Sequence, residues 1–557
     1  MRSKLTMLVA LAVCAVAPVA ASAQSYAITN AKIVTVSGAT IDKGTIVVRN
    51  GLIDAVGANI TPPADAQVFD ATGLTVYPGF IDALTTLGLA QATPGAGRGP
   101  GGGFQTAPTT VPTPSSNSNY PAGLRPEDSS FEDIRAGESQ FEASRNAGFT
   151  TALTVGRTGI FNGQSAVIDL AGENVAAMVV RPEFAEHVSF VTIGGGVYPQ
   201  SLLGTFAALR QMFLDAKRLQ ELQRQYEANP KGMRRPDADK SLEALFPVVN
   251  GKMPIVFNAN SEREIIRAID MINEFKLNGI IAGGQESWKV ADRLKASNIP
   301  VLLSLNFPKR TTAGSPDADP EPLETLRLRA DTPKGPAKLA AMGVKLAFQS
   351  GGLTSLADFF TNAGKAVENG LSRDAAIRAM TLGSAEILGV SDRLGSIETG
   401  KIANLTIVKG DVFAKERFVP QVIVDGKVFE QKEPVKPPPG GGRGFGGQRG
   451  GESGTTTLAN VAGTYTVTVE IPGQPLPATL TFAQSGSALT GTMVSALGTT
   501  PLRDGKITAT GFSCVITVQL GGQTVDVTVV GSVSGSSITG TMDSSLGSAP
   551  FSGTRTP

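Results

Sequence analysis

From residue 254 to residue 307 the chain repeats one pattern, a short apolar run followed by an amphipathic segment. PIVFNA (254–259) precedes SEREIIRAIDMINEF, GIIAGG (279–284) precedes ESWKVADRLKAS, and PVLLSLNF follows. Ser261 and Glu264 have the spacing of a capping box, and Ile265, Ile266, Ile269 and Ile272 fall on one helical face. Strands recurring with one helix between them form βαβ units, whose right-handed crossovers build a parallel sheet. A further strand, VKLAFQSGG, comes before two helices over roughly residues 355–388. Residues 78–399 hold enough chain for eight such units, so an α/β fold with a (β/α)8 TIM-type barrel is expected in preference to an open doubly wound sheet.

The rest of the chain has other textures. Residues 26–76 read as short strands, AITNAKIVTV, GTIVVRNGLIDAVG and TGLTVYPG, broken by Asn and Gly where hairpins turn. Strands return at IANLTIVKG and QVIVDGKVF, between 402 and 430. Residues 91–125 lack apolar periodicity and read as a flexible insertion, and 433–456 as a Pro/Gly-rich linker. Beyond it, 457–557 alternates as strands and echoes itself in LTGTM (489–493) and ITGTM (538–542), which predicts a small antiparallel barrel or sandwich.

Residues 1–23 carry Arg2 and Lys4, the apolar run MLVALAVCAVAPVA and then Ala21, Ser22 and Ala23, the pattern of a signal peptide. The expectation is an exported protein, periplasmic or secreted, with no transmembrane segment in the mature chain. Removing the signal leaves Cys514 as the only cysteine, so an intrachain disulfide is excluded and stability must come from buried cores. Lys plus Arg number 49 against 48 Asp plus Glu, a balance that offers no pull toward nucleic acid.

AITNAKIVTV, RNGLIDAVG and DATGLTVYPGFIDA at one end, with AIRAMTLGSAEILGVSDRLGSIETGKIANLTIVKGD at the other, resemble the amidohydrolase superfamily, and within it the imidazolonepropionase-like cyclic amidohydrolases. The resemblance spans roughly residues 26–430. It implies a barrel over 78–399 and a composite small β-sandwich built from 24–77 and 400–432. It also implies hydrolysis of C–N bonds in cyclic amides, ureides or peptides by one or two divalent metals such as zinc, held by two His on strand 1, a carboxylated Lys or Glu on strand 4, a His on each of strands 5 and 6, and an Asp on strand 8. The chain departs from that set. Leu84 and Thr86 occupy the strand 1 positions, Asn258 the strand 5 position, Ala282 or Gly283 that of strand 6, and Ser350 or Gly351 that of strand 8. The strand 4 position, within 185–250, matches no motif.

A hydrolytic zinc needs about three N, S or O ligands. The single histidine, His187, lies outside the motifs and reads as a hydrogen-bonded structural residue. No metal and no other cofactor is therefore expected. If the barrel is right, its rim presents Thr86, Asn258, Gln285, Gln349 and Ser350, expected to line a site for a small neutral or peptide-like ligand. Glu286 is a candidate acid or base that could equally serve a helix N-terminus, and Asp82 a candidate that could equally be a structural hydrogen-bonding carboxylate. No nucleophile elbow, Walker motif or dinucleotide fingerprint is present. Three functions remain open: a degenerate amidohydrolase that binds a ligand or partner, an active hydrolase with an atypical or metal-free site, and an envelope-binding protein acting through the C-terminal β domain.

Overall fold

The computed structural model describes residues 25–89, 120, 123–137, 139–172, 174–192, 198–310, 321–353, 355–431, 433, 461–469, 476–485, 488–496, 498–507, 511–520, 523–534, 537–544 and 547–556. The expected signal peptide, most of the insertion 91–125 and most of the linker 433–456 lie outside the described residues. The chain divides into two compact units, residues 1–436 and 437–557.

The first unit opens with β1 (Tyr26–Ile33), β2 (Ile41–Arg49), β3 (Leu52–Gly57), β4 (Gln67–Asp70) and β5 (Thr75–Pro78). The first half of β1 pairs with β4 and its second half with β5, the change falling at Asn30, which has φ 58°. The barrel strands follow: β6 (Phe80–Thr85), β7 (Phe149–Thr154), β8 (Phe161–Gln164), β9 (Ala166–Asp169), β10 (Val179–Arg181), β11 (Glu186–Ser189), β12 (Ile255–Ala259), β13 (Gly279–Gly283), β14 (Val301–Ser304) and β15 (Leu346–Gln349). After the barrel, β16 (Leu405–Lys409), β17 (Phe418–Val424) and β18 (Lys427–Glu430) rejoin the opening strands. Leu405 pairs with Pro78 and Val408 with Thr75, so the two flanks share one sheet, ordered β18-β17-β16-β5-β1-β2-β3 with β4 on β1.

β6 runs parallel to β7, β11 through β15 run parallel to one another, and β15 lies beside β6, which closes a TIM-type barrel. The expected uniform βα repeat fails at one place. β8 and β9, separated only by Ser165, act as one broken strand that pairs antiparallel with β7 on one side and with β11 on the other. The chain from β7 to β8 is only the loop 155–160, too short for the dozen or so residues a parallel crossover needs, so the third strand must return in the opposite direction.

Alternation along these strands divides two cores. Ala83, Leu153, Val167, Ala185, Val256, Ala282, Leu302 and Ala347 point inward and meet Leu388 and Leu394, so the barrel is filled with side chains and is no pore. Phe149, Val188, Phe257 and Phe348 point outward against the helices. Helix Glu262–Phe275 illustrates the fit: Ser261 Oγ accepts from Glu264 N at 3.4 Å, Glu264 Oε2 accepts from Ser261 N at 3.1 Å, and Ile265, Ile269 and Ile272 are buried. Ser261→Ala is expected to lower the stability of this unit by about 1 kcal/mol, read as a shift of the urea midpoint with unchanged slope.

The second unit is a ring of antiparallel strands. β19 (Gly463–Val469), β20 (Leu476–Ser485), β21 (Ala488–Ser495), β22 (Gly498–Pro501), β23 (Arg503–Ile507), β24 (Phe512–Leu520), β25 (Gln523–Ser534), β26 (Ser537–Ser544) and β27 (Gly547–Arg555) form one sheet. The pairings β19–β27 and β20–β21 close it into a barrel filled by Tyr465, Leu480, Phe482, Phe512, Cys514, Val529 and Phe551. The sequence echo now has a reason. The glycines of LTGTM and ITGTM, Gly491 and Gly540, sit where a Cβ would overlap the carbonyl oxygens of Thr481 and Val530, so each lets a neighbouring strand approach closely in a tightly coiled sheet.

Candidate functional site

The C-terminal ends of the barrel strands bring together residues far apart in sequence. Ser189 on β11, Asn258 on β12 and Ala282 on β13 stand at one height, because β11, β12 and β13 pair in register there. Val256 is part of the interior cluster, and Asn258, two residues on, faces the same way. Its Nδ2 donates to Asn162 Oδ1 at 3.1 Å and to Ser189 Oγ at 3.0 Å, and Ser189 Oγ donates to the same Asn162 oxygen at 2.6 Å. Asn162 Nδ2 is in turn spent on the carbonyls of Thr158 and Gly159. The result is a neutral network of two amides and a hydroxyl bonded to one another. Asn162 and Ser189 had no signal in the sequence: they sit on four-residue strands, and one of these belongs to the antiparallel third position.

Asp82 does something else. Its Oδ1 accepts from Ser350 N at 2.9 Å, its Oδ2 accepts from Ser350 Oγ, and Leu84 N lies 3.4 Å from Oδ1. These bonds tie the first barrel strand to the residue after the eighth. Burial pushes the carboxyl up to about 6, a rise that the two Ser350 donors, Leu84 N and the Arg157 charge only partly offset. Asp82 is 4% exposed, and its bonds to Ser350 help close the barrel. Strict alternation also breaks here. The β6–β7 register shifts between Asp82 and Thr85, and Ala83 and Leu84 both pack against the interior cluster.

The other rim candidates separate in the same way. Glu286 is engaged at a helix terminus: its Oε2 accepts from Glu262 N at 2.7 Å at the start of helix Glu262–Phe275, and its Oε1 pairs with Lys289 Nζ at 2.6 Å. It thus serves the N-terminus of the preceding helix, where the helix dipole favours a carboxylate. Gln349 is buried and donates to the Leu302 carbonyl at 2.7 Å, inside the barrel, and Ser350 is committed to Asp82, so neither lines an open site. Gln285 is half-buried and donates to the Asn306 carbonyl at 3.1 Å. Thr86 is half-buried at the end of strand 1. Of the expected ligand-binding residues, Asn258, Thr86 and Gln285 stay within reach of solvent. His187 is fully buried, its Nε2 lies 2.9 Å from Ser165 Oγ, and burial pushes its imidazole down to about 3, so it is neutral at physiological pH.

The barrel, its antiparallel third strand and the sheet shared by the two flanks form a TIM-type barrel joined to a composite β-sheet. The sequence profile of the Amidohydrolase family matches residues 321–429. The solved structure of an amidohydrolase from Thermotoga maritima is 26% identical with a TM-score of 0.60, covering 73% of this chain and 100% of that one. A Xaa-Pro dipeptidase is 18% identical with a TM-score of 0.45, covering 73% of this chain and 100% of its own. An adenosine deaminase from Xanthomonas campestris is 15% identical with a TM-score of 0.39, covering 73% and 92%. No curated protein matches. The chain is thus similar to the amidohydrolase superfamily, in sequence over residues 321–429 and in fold over the matched structure.

That superfamily usually employs a divalent metal, and the donor set here does not fit one. The strand 5 and strand 4 positions carry an amide and a hydroxyl already bonded to each other, strand 6 carries Ala282, and Asp82 is enclosed by Ser350. Among the described residues no three His, Cys, Asp or Glu side chains gather into a metal-holding group.

Proposed function

We propose that this chain is an exported, non-hydrolytic member of the superfamily whose barrel mouth binds a small neutral or peptide-like ligand. One observation carries the reading: Asn162, Ser189 and Asn258 form a neutral hydrogen-bonded network where the family's strand 4 and strand 5 ligands belong. A hydrolytic metal draws its grip from anionic or imidazole ligands and makes hydroxide from its bound water. Amides and hydroxyls give hydrogen-bonding specificity without that charge, which suits a ligand that is itself an amide or a polyol. Export rests on the pattern of residues 1–23.

The test is metal content and turnover measured on one preparation. Purified mature protein is exposed to zinc, manganese and nickel, dialysed and measured by elemental mass spectrometry, then assayed on cyclic amides and dipeptides. No stoichiometric transition metal and no turnover are expected. Stoichiometric metal together with metal-dependent hydrolysis would overturn the reading.

A further inference from the structure

Away from the mouth, on the outer side of the barrel wall, two buried acids lack hydrogen-bond donors among the described residues. Glu186 is the first residue of β11, and it faces outward, because Ala185 belongs to the interior cluster and Val188 to the outer one. It is fully buried, and among the described residues neither of its carboxylate oxygens takes a hydrogen bond; the main-chain N–H of His187 approaches without hydrogen-bonding geometry. Glu127 repeats the situation. Its side chain is 7% exposed, both oxygens lack a hydrogen-bond partner among the described residues, and Arg125 Nε stands 3.9 Å away. Arg125 directs its terminal nitrogen to Asp128 instead, at 2.6 Å.

Strand register explains why the two meet. Ser129 bridges Gln164 in parallel, Gln164 N donates to the Asp128 carbonyl at 2.7 Å, and Gln164 pairs with Glu186 across β8 and β11. Residues opposite one another in a sheet share a face, so Gln164 and Glu186 project to the same side, and Gln164 Nε2 donates to the Pro126 carbonyl at 3.4 Å, which sets the turn carrying Glu127 beside them. Glu186 feels Glu127 and Asp128 as its strongest neighbouring charges. Two dehydrated carboxylates without hydrogen-bond donors are costly to leave ionised. A proton would neutralise one of them and leave the oxygens of the other without a partner. A single hard cation would answer all four oxygens, and an oxygen-only set selects calcium or magnesium over zinc.

We propose that Glu127 and Glu186 hold a hard divalent cation of the calcium type, completed by main-chain carbonyls and water, which staples the segment around residues 125–129 to the third and fourth barrel strands. Asn162 lies on the same third strand, so the cation would steady one side of the mouth network without taking part in it. The site lies outside the barrel, apart from the positions the superfamily uses for its metal.

Full-length protein stripped with a chelator and dialysed is titrated with calcium chloride at neutral pH, followed by calorimetry and by thermal unfolding. One calcium per chain and a rise in Tm are expected. Glu186→Gln and Glu127→Gln should each weaken binding by about tenfold or more, because charge count sets affinity in such sites. Both should also remove the calcium-dependent rise in Tm, while Asp331→Asn, at an exposed carboxylate on a helix, retains it. Glutamine is neutral and nearly isosteric, so the stripped variants should fold at least as well as the stripped parent, which circular dichroism verifies. The proposal fails if the parent takes up no stoichiometric calcium, if both variants bind as the parent does, or if Tm follows pH and ignores calcium, the behaviour of a site that takes a proton only.

Discussion

Truncating Phe360 to alanine should destabilise the first unit by about 3–5 kcal/mol, the range for a large aromatic removed from a core that cannot collapse around the gap. Phe360 is fully buried on helix Ala357–Glu368. Its ring lies 5.1 Å from Phe80, 5.4 Å from Phe149 and 5.1 Å from Phe359, centroid to centroid, so it joins the first two barrel strands to the helix. Edge and tilted contacts of this kind add to the burial itself. A further loss comes from Arg417, whose guanidinium carbon sits 3.6 Å from the Phe360 centroid and whose pKa burial pushes down to about 10. With the ring gone, that half-desolvated cation keeps its bond to the Ala147 carbonyl but loses its π partner. Phe131→Ala, at a residue 37% exposed, is the matched comparison and should change stability by no more than about 0.5 kcal/mol. Urea unfolding of both variants decides the point, and a Phe360→Ala loss below about 1 kcal/mol would show that the cluster repacks freely.

The aromatic cluster also shows where sequence reading succeeds and where it stops. The PGFID stretch was legible as the entry to the barrel, and the structure gives its glycine a cause: a Cβ on Gly79 would overlap the Thr150 side chain of the neighbouring strand region. The helices after β12 and β13 were legible because apolar periodicity and a capping box are local signals. The direction of the third strand was not. GIFNGQSAVIDL reads as strand in either direction, and only the short loop before it decides the matter. The fourth strand, Glu186–Ser189, was illegible for another reason: four residues, two of them ionisable, give no apolar run. The mouth network joins residues 96 apart in Asn162 and Asn258, and the outer acid pair joins Glu127 to Glu186, so each exists only once strand register is known. Asp82 and Glu286 looked alike in sequence, as carboxylates beside strand ends. They differ because one is sealed between strands and the other meets a helix N-terminus.

Asp169→Asn should stabilise the first unit at about pH 8 and give no gain at about pH 4. Asp169 ends β9, is 4% exposed, and accepts at Oδ1 from Thr151 Oγ1 at 2.8 Å and from Asn404 Nδ2 at 3.0 Å. Asn404 Oδ1 accepts in turn from Asp425 N at 2.7 Å, so the carboxyl stands at the junction between the barrel and the sheet of the two flanks. Burial pushes Asp169 up to about 7, the Thr151 and Asn404 donors offset part of this, and the Asp425 charge adds to it. Its folded pKa thus lies above the unfolded value, and the native state favours the proton. That contribution is fully present below about pH 4 and is lost as pH rises through about 7. At about 1.4 kcal/mol per pH unit the loss is on the order of 4 kcal/mol. Asparagine is neutral throughout and keeps an oxygen where both bonds arrive, so it removes the loss while preserving the junction. Asp82, pushed up to about 6, acts in the same direction, whereas His187, pushed down to about 3, opposes both: its contribution is present above about pH 6.5 and lost as pH falls toward 3. The difference between variant and parent cancels those two groups and isolates Asp169. Urea unfolding at about pH 4, 6 and 8 therefore gives a direct answer: a gain that grows with pH places the cost in the buried charge, and a gain that stays flat places it in packing.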